Sequence, residues 1–123
     1  MEKCYQRNKE KAEFIGVYIR EAHPSDGWKA PQNERSGIAV TQPKTMAERD
    51  SVATTCAAKL ELTFPFVVDG MDNKVEAAYA GWPDRLYIVS KDGAIAYKGG
   101  PGPGGFRVAE MEAKLEEVLK AQK

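Results

Sequence analysis

The stretch FIGVYI, residues 14–19, decides the fold. Its residues are nearly all apolar and favour β structure, the pattern of a strand covered on both faces inside an α/β sheet. Ahead of it, residues 2–13 are strongly charged. Cys4 and Tyr5 are the only sizeable apolar side chains before Ala12, which predicts a short helix running into the strand. Beyond it the chain from Ala22 to Gly37 mixes Pro and Gly with Ser, Asp and Asn. A loop of that length in a compact domain is a place for function.

Further along, Thr45 and Glu48 stand in a capping-box pattern, and Met46, Val52, Ala53, Cys56 and Leu60 recur at helical spacing, predicting a helix over about 46–60. Phe64 to Val68 is a second apolar run. It ends in Asp69-Gly70 and leads to a short helix containing Val75, Ala78 and Tyr79. Leu86 to Val89 and Ala94 to Tyr97 flank Ser90-Lys91-Asp92-Gly93, whose Asp-Gly predicts an antiparallel hairpin. After GGPGPGG at 99–105, expected to be a flexible loop, Val108, Met111, Leu115, Val118 and Leu119 form the apolar stripe of a terminal helix. The order predicts an α/β sandwich with a mixed sheet in a single domain over 1–123.

A chain of 123 residues with two cysteines and one histidine neither needs nor supports a disulfide framework or a structural zinc. The 18 basic and 18 acidic side chains cancel and are spread along the chain, so neither nucleic acid nor an anionic membrane is an expected partner. No apolar run approaches a membrane span and no signal peptide opens the sequence, giving a cytoplasmic expectation with reduced thiols and no Cys4–Cys56 disulfide.

VYIREAHPSDGW (17–28), PKTMAER (43–49), FVVDGMDN (66–73), AYAGWPDRLYIV (78–89) and YKGGPGPGGF (97–106) together resemble the iodothyronine deiodinases and their bacterial deiodinase-like relatives. The resemblance covers essentially the whole chain. It implies a thioredoxin-like three-layer sandwich related to peroxiredoxins, with a helix and strand inserted between the second and third core strands. It also implies that the family's reactive selenocysteine or cysteine, at the head of the first helix after the first core strand, precedes residue 1. The expectation is therefore an N-terminally truncated fold lacking that strand and the start of the helix. Where the vertebrate enzymes place a histidine before the capping-box helix, this chain has Pro43.

Can either cysteine replace that nucleophile? In such a layout the strand rises about 23 Å, while the helical residues after Cys4 descend only about 10–13 Å. Cys4 is expected halfway down the fold and Cys56 on an apolar stripe away from the active face, both as structural thiols. The site face is expected to hold Glu21, His23, Asp26, Trp28 and Arg85. His23 with Glu21 suits general-base or orienting work, or His23 simply bonds backbone in its turn. Trp28 and Trp82 either wall a ligand cleft or close the core at loop ends. Arg85 is implied by the resemblance to hold an anionic group, the alternative being a salt bridge to Asp69 or Asp84. Pro83 aligns with the family's cis-proline position.

Two functions follow. One is binding or interaction without a redox nucleophile, with a small aromatic or anionic ligand. The other is a thiol-dependent oxidoreductase or dehalogenase using Cys4 and a thiol reductant. A chain that is a piece of a longer product is a third reading. No cofactor or metal is called for. The absent central strand leaves two inner edges, expected either to pair antiparallel (14–20 with 85–90) or to be filled by a second copy in a homodimer.

Overall fold

Glu2 in the first turn and Arg7 in the last complement the ends of a helix dipole, and residues Glu2–Asn8 form helix α1. The computed structural model describes residues 1–22 and 41–122. The remaining elements are β1 (Gly16–Tyr18), α2 (Met46–Lys59), β2 (Phe66–Val68), α3 (Lys74–Tyr79), β3 (Tyr87–Val89), β4 (Ile95–Lys98) and α4 (Val108–Ala121). The chain is thus mixed α/β, and every predicted element within the described residues is present, though the strands are shorter than their apolar runs.

The Thr45 hydroxyl accepts from the Glu48 amide at 3.2 Å, as a helix cap should. The Glu48 carboxylate reaches back one residue further than a standard capping box and takes the Lys44 amide at 2.7 Å. Only the middle of α2 is inward, at Arg49 and Ala53. Met46 and Leu60, expected on its apolar stripe, are 38% and 49% exposed. The reason is length: α2 runs about 21 Å, whereas the three residues of β2 cover about 10 Å.

β1 and β2 pair in parallel, with Val17 opposite Val67. These two valines point outward together, and Ile15 beside them is 67% exposed. The expectation of a strand covered on both faces is overturned here, because β1 alternates and only the Gly16 and Tyr18 side is packed. Gly16 is required where it stands: a methyl there would run into the Phe66 ring. β3 and β4 form the predicted antiparallel hairpin, with a bulge between Ile88 and Val89. Gly93 takes a positive φ of 86° in its turn, which glycine adopts without steric cost.

The two pairs make two separate two-stranded sheets, so the expected direct pairing of 14–20 with 85–90 does not occur. α1 joins the halves instead. Cys4 is buried with Leu86, Ile88, Met111 and Leu115 in the core of the hairpin half. The next residue, Tyr5, makes edge-to-face contacts with Phe14 (5.5 Å), which also packs on that core, and with Phe64 (5.7 Å) of the other half. Polar contacts repeat this division. Glu2 accepts from the Thr63 amide at 2.8 Å, while Arg7 and Asn8 donate to Glu112 on α4 at 2.9 and 2.7 Å. A helix that buries side chains into both halves couples them without a shared hydrogen-bond ladder.

Candidate functional site at the ends of β1 and β2

The turn after β1 carries the first polar cluster. The Tyr18 hydroxyl donates to the Glu21 carboxylate, and burial followed by that hydrogen bond pushes the phenol well above its ordinary range. The Glu21 backbone is clipped by the Gln42 side chain: its amide donates to Gln42 Oε1 at 3.1 Å, and its carbonyl accepts from Gln42 Nε2 at 3.0 Å. Side-chain and main-chain amides share donor and acceptor geometry, so Gln42 acts here as one unit of strand pairing. Cys56, half-buried on α2, lies close enough to Glu21 for its thiol to be raised, by burial first and by that carboxylate second.

The end of β2 is built on two buried charged groups. The Asp69 carboxylate, 3% exposed, accepts from the Val75 and Glu76 amides at 3.1 and 2.9 Å and anchors the start of α3. Arg49, 2% exposed, sends Nη1 to the carbonyls of Asp69 (3.2 Å) and Gly70 (2.8 Å). Arg49 falls three residues after Met46 and four before Ala53, at stripe spacing, which was the signal that it turns inward. Gln42 left no such signal.

A third group crosses between the sheets. Arg20, just past β1, pairs with Glu76 at 2.9 Å and lies over the Trp82 ring, 5.0 Å from its centroid. Trp82 is 39% exposed, and the Trp82–Pro83 bond is cis. Arg85 donates Nε to the Ala80 carbonyl at 2.8 Å and Nη1 to that of Gly99 at 2.7 Å. Its guanidinium braces backbone, and Asp69 is committed to α3. The structure therefore places Arg20 against Glu76 and Trp82, Arg85 against the Ala80 and Gly99 carbonyls, and Glu21 at the turn past β1 beside Tyr18. No hydrogen bond or ion pair among the described residues links Glu21 to Arg85. His23, Asp26 and Trp28 lie outside the described residues.

The remaining thiol is elsewhere. Cys4 is 1% exposed. Burial first, then the nearby Glu112 carboxylate, raises its pKa, and Asn8 Nδ2 donates to its carbonyl at 2.9 Å. Neither thiol is disulfide-bonded. An open groove beside it, lined by Arg7, Asn8, Lys11, Ala109, Glu112 and Glu116, mixes both signs of charge and shares no residue with the Trp82–Arg85 segment. Among the described residues no group of three His, Cys, Asp or Glu side chains is arranged to hold a metal. No helix among them is long and apolar enough to cross a membrane.

Comparison of the sequence with known proteins finds relatives over most of its length. A thyroxine 5-deiodinase from Sparus aurata is 39% identical over 106 residues, 86% of this chain and 38% of the relative. The Gallus gallus thyroxine 5-deiodinase is 36% identical over 107 residues, 86% of this chain and 39% of the relative. A type II iodothyronine deiodinase from Petromyzon marinus is 38% identical over 109 residues, 87% of this chain and 36% of the relative. The chain thus spans less than two-fifths of the length of these relatives. The family model for iodothyronine deiodinase matches residues 2–119, nearly the whole sequence, and the chain belongs to that family.

Proposed function

We propose that this chain is a deiodinase-family domain of thioredoxin-like architecture that binds a small anionic aromatic ligand at the Trp82–Arg85 segment and the Glu21 turn, with His23, Asp26 and Trp28 completing the face. Membership of the family supports a redox-related role. In our reading, however, neither thiol of these 123 residues serves as the nucleophile. The observation that carries this is the state of Cys4. A reactive cysteine requires access and a setting that favours thiolate, and Cys4 has 1% exposure and a raised pKa. Cys56 is also raised. An exposed indole and a guanidinium three residues apart suit a flat aromatic body carrying negative charge.

The test is thyroxine deiodination with dithiothreitol as reductant, run on the wild type, Cys4→Ser and Cys56→Ser. The expected result is no turnover above buffer for any of them. Robust turnover that Cys4→Ser abolishes would overturn the reading in favour of a Cys4-dependent oxidoreductase. In parallel, native protein at neutral pH is expected to leave Cys4 unmodified by a thiol-specific disulfide reagent until it is unfolded. The homodimer draws support from the two separate sheets, each with an outward-facing aliphatic pair, Val17–Val67 and Val89–Ile95. A strictly monomeric protein by light scattering across micromolar concentrations would remove it.

A further inference from the structure

Arg85 is held from two sides before any ligand arrives. Of the five N–H donors of a guanidinium, one is spent on the Ala80 carbonyl just past α3 and one on the Gly99 carbonyl just past β4. Gly99 is itself buried, and its amide donates to the Leu86 carbonyl at 2.9 Å. The direction of the remaining donors depends on where the 99–105 loop holds that second carbonyl.

The loop does not behave as the flexible glycine linker its composition predicts. The Gly102 amide donates to the Asp84 carbonyl at 3.0 Å, and the Gly105 amide to that of Pro101 at 2.9 Å. A methyl group on Gly102 would overlap the Asp84 carboxylate, and one on Gly105 would overlap the backbone of Gly100 and Pro101. A methyl on Gly104 would meet nothing. Glycine is thus demanded by backbone packing at Gly105, whereas a methyl at Gly102 asks only that the Asp84 side chain move aside, and Gly104 is left unconstrained. The amide bonds of Gly102 and Gly105 fasten the loop to the residue immediately before Arg85 and to its own neck.

We infer that the 99–105 loop is a positioning element for Arg85. Gly102, seated on Asp84, keeps the Gly99 carbonyl in line with Nη1, so the guanidinium is set in one orientation to receive a planar anion such as a carboxylate or sulfonate on an aromatic ligand. This rests on the reading of Arg85 as the anion contact. A preset fork loses less freedom when the ligand binds, which is why packing remote from the ligand registers in affinity.

Two dyes with the same ring system separate the cases: 8-anilinonaphthalene-1-sulfonate carries the anion and N-phenyl-1-naphthylamine lacks it. Affinities of both are measured for the wild type, Arg85→Gln, Gly105→Ala and Gly104→Ala, each checked for native near-ultraviolet circular dichroism. Arg85→Gln and Gly105→Ala are expected to weaken the sulfonate dye about tenfold, the scale of one charge-assisted contact, with the neutral dye unchanged and Gly104→Ala like the wild type. If Gly105→Ala does not fold, Gly102→Pro removes the amide donor that bonds the Asp84 carbonyl and carries the same expectation. If the wild type shows no saturable binding of the sulfonate dye, or Arg85→Gln leaves it unchanged, the anion contact falls and takes this inference with it. If Arg85→Gln weakens the dye but the glycine variants do not, positioning alone is overturned.

Discussion

The two halves of this molecule are held by different physics. The hairpin half, β3, β4 and α4, packs an apolar core in which Leu86, Ile88, Met111 and Leu115 are all buried together with Cys4 of α1. The half built from β1, α2 and β2 buries little aliphatic surface. Val17, Val67, Met46 and Leu60 are exposed, and its inner positions are aromatic rings, the Arg49 guanidinium and the Asp69 carboxylate. Apolar packing is non-directional and sums with area, whereas hydrogen bonds fix direction. The candidate site straddles the two halves, Glu21 and Arg20 lying past β1 and Trp82 and Arg85 just before β3, and directional contacts orient its polar groups.

The strongest way to break this contrast is Leu115→Ala. The lost transfer energy plus the cavity should cost about 3 kcal/mol, read as a fall in the urea midpoint with an unchanged slope. Tyr5→Ala attacks the join instead. It removes two aromatic contacts and should cost about 2–3 kcal/mol. Because it uncouples the halves, it should also broaden the transition and separate tryptophan fluorescence from far-ultraviolet dichroism, whereas coincident transitions would show that α1 is not the staple. Asp69→Ala strands the Val75 and Glu76 amides and should cost about 2 kcal/mol, with hydrogen-exchange protection lost first in α3.

Glu112→Gln sharpens the comparison through pH. The hydrogen bond from Arg7 holds the Glu112 carboxyl at about 2, against an ordinary 4.5. A folded-state value below the unfolded one means stabilisation that is complete above the unfolded pKa and disappears as pH falls through the folded one. The stability gap between wild type and variant should therefore be largest near neutrality and close between about pH 4.5 and 2. Arg7 is largely exposed, so added salt should shrink the gap too. A gap constant with pH would remove the ion pair from the account. The smallest effect belongs to Val67→Thr. On an outward-facing residue it should change stability by less than about 0.5 kcal/mol, and a larger loss in the isolated monomer would mean that the aliphatic face is covered after all.

Local chemistry was legible in the sequence wherever the signal was short-range. Thr45 and Glu48 mark the start of α2, Asp92-Gly93 marks the hairpin, and the spacing of Met111, Leu115 and Val118 marks the inner face of α4. The aromatic and charged candidates Trp82 and Arg85 were also visible, since the motifs that carry the family resemblance contain them. The spacing of Arg49 marks only that it turns inward; its partners, and the roles of Gln42 and Asn8, were not legible, because they depend on carbonyls and side chains far away in the chain.

By itself, then, the sequence determined which segments become helix or strand, where they start and turn, and the family to which the motifs belong. These follow from periodicity, capping and turn residues, which act over a few positions. Only the tertiary structure decided that the strands form two sheets instead of one, that α1 spans both, that a glycine-rich stretch is fastened to Asp84, and that Arg85 braces backbone. Those outcomes are set by which surfaces meet at long range. A glycine or an arginine has the same local signature whether it faces water or a neighbouring carbonyl.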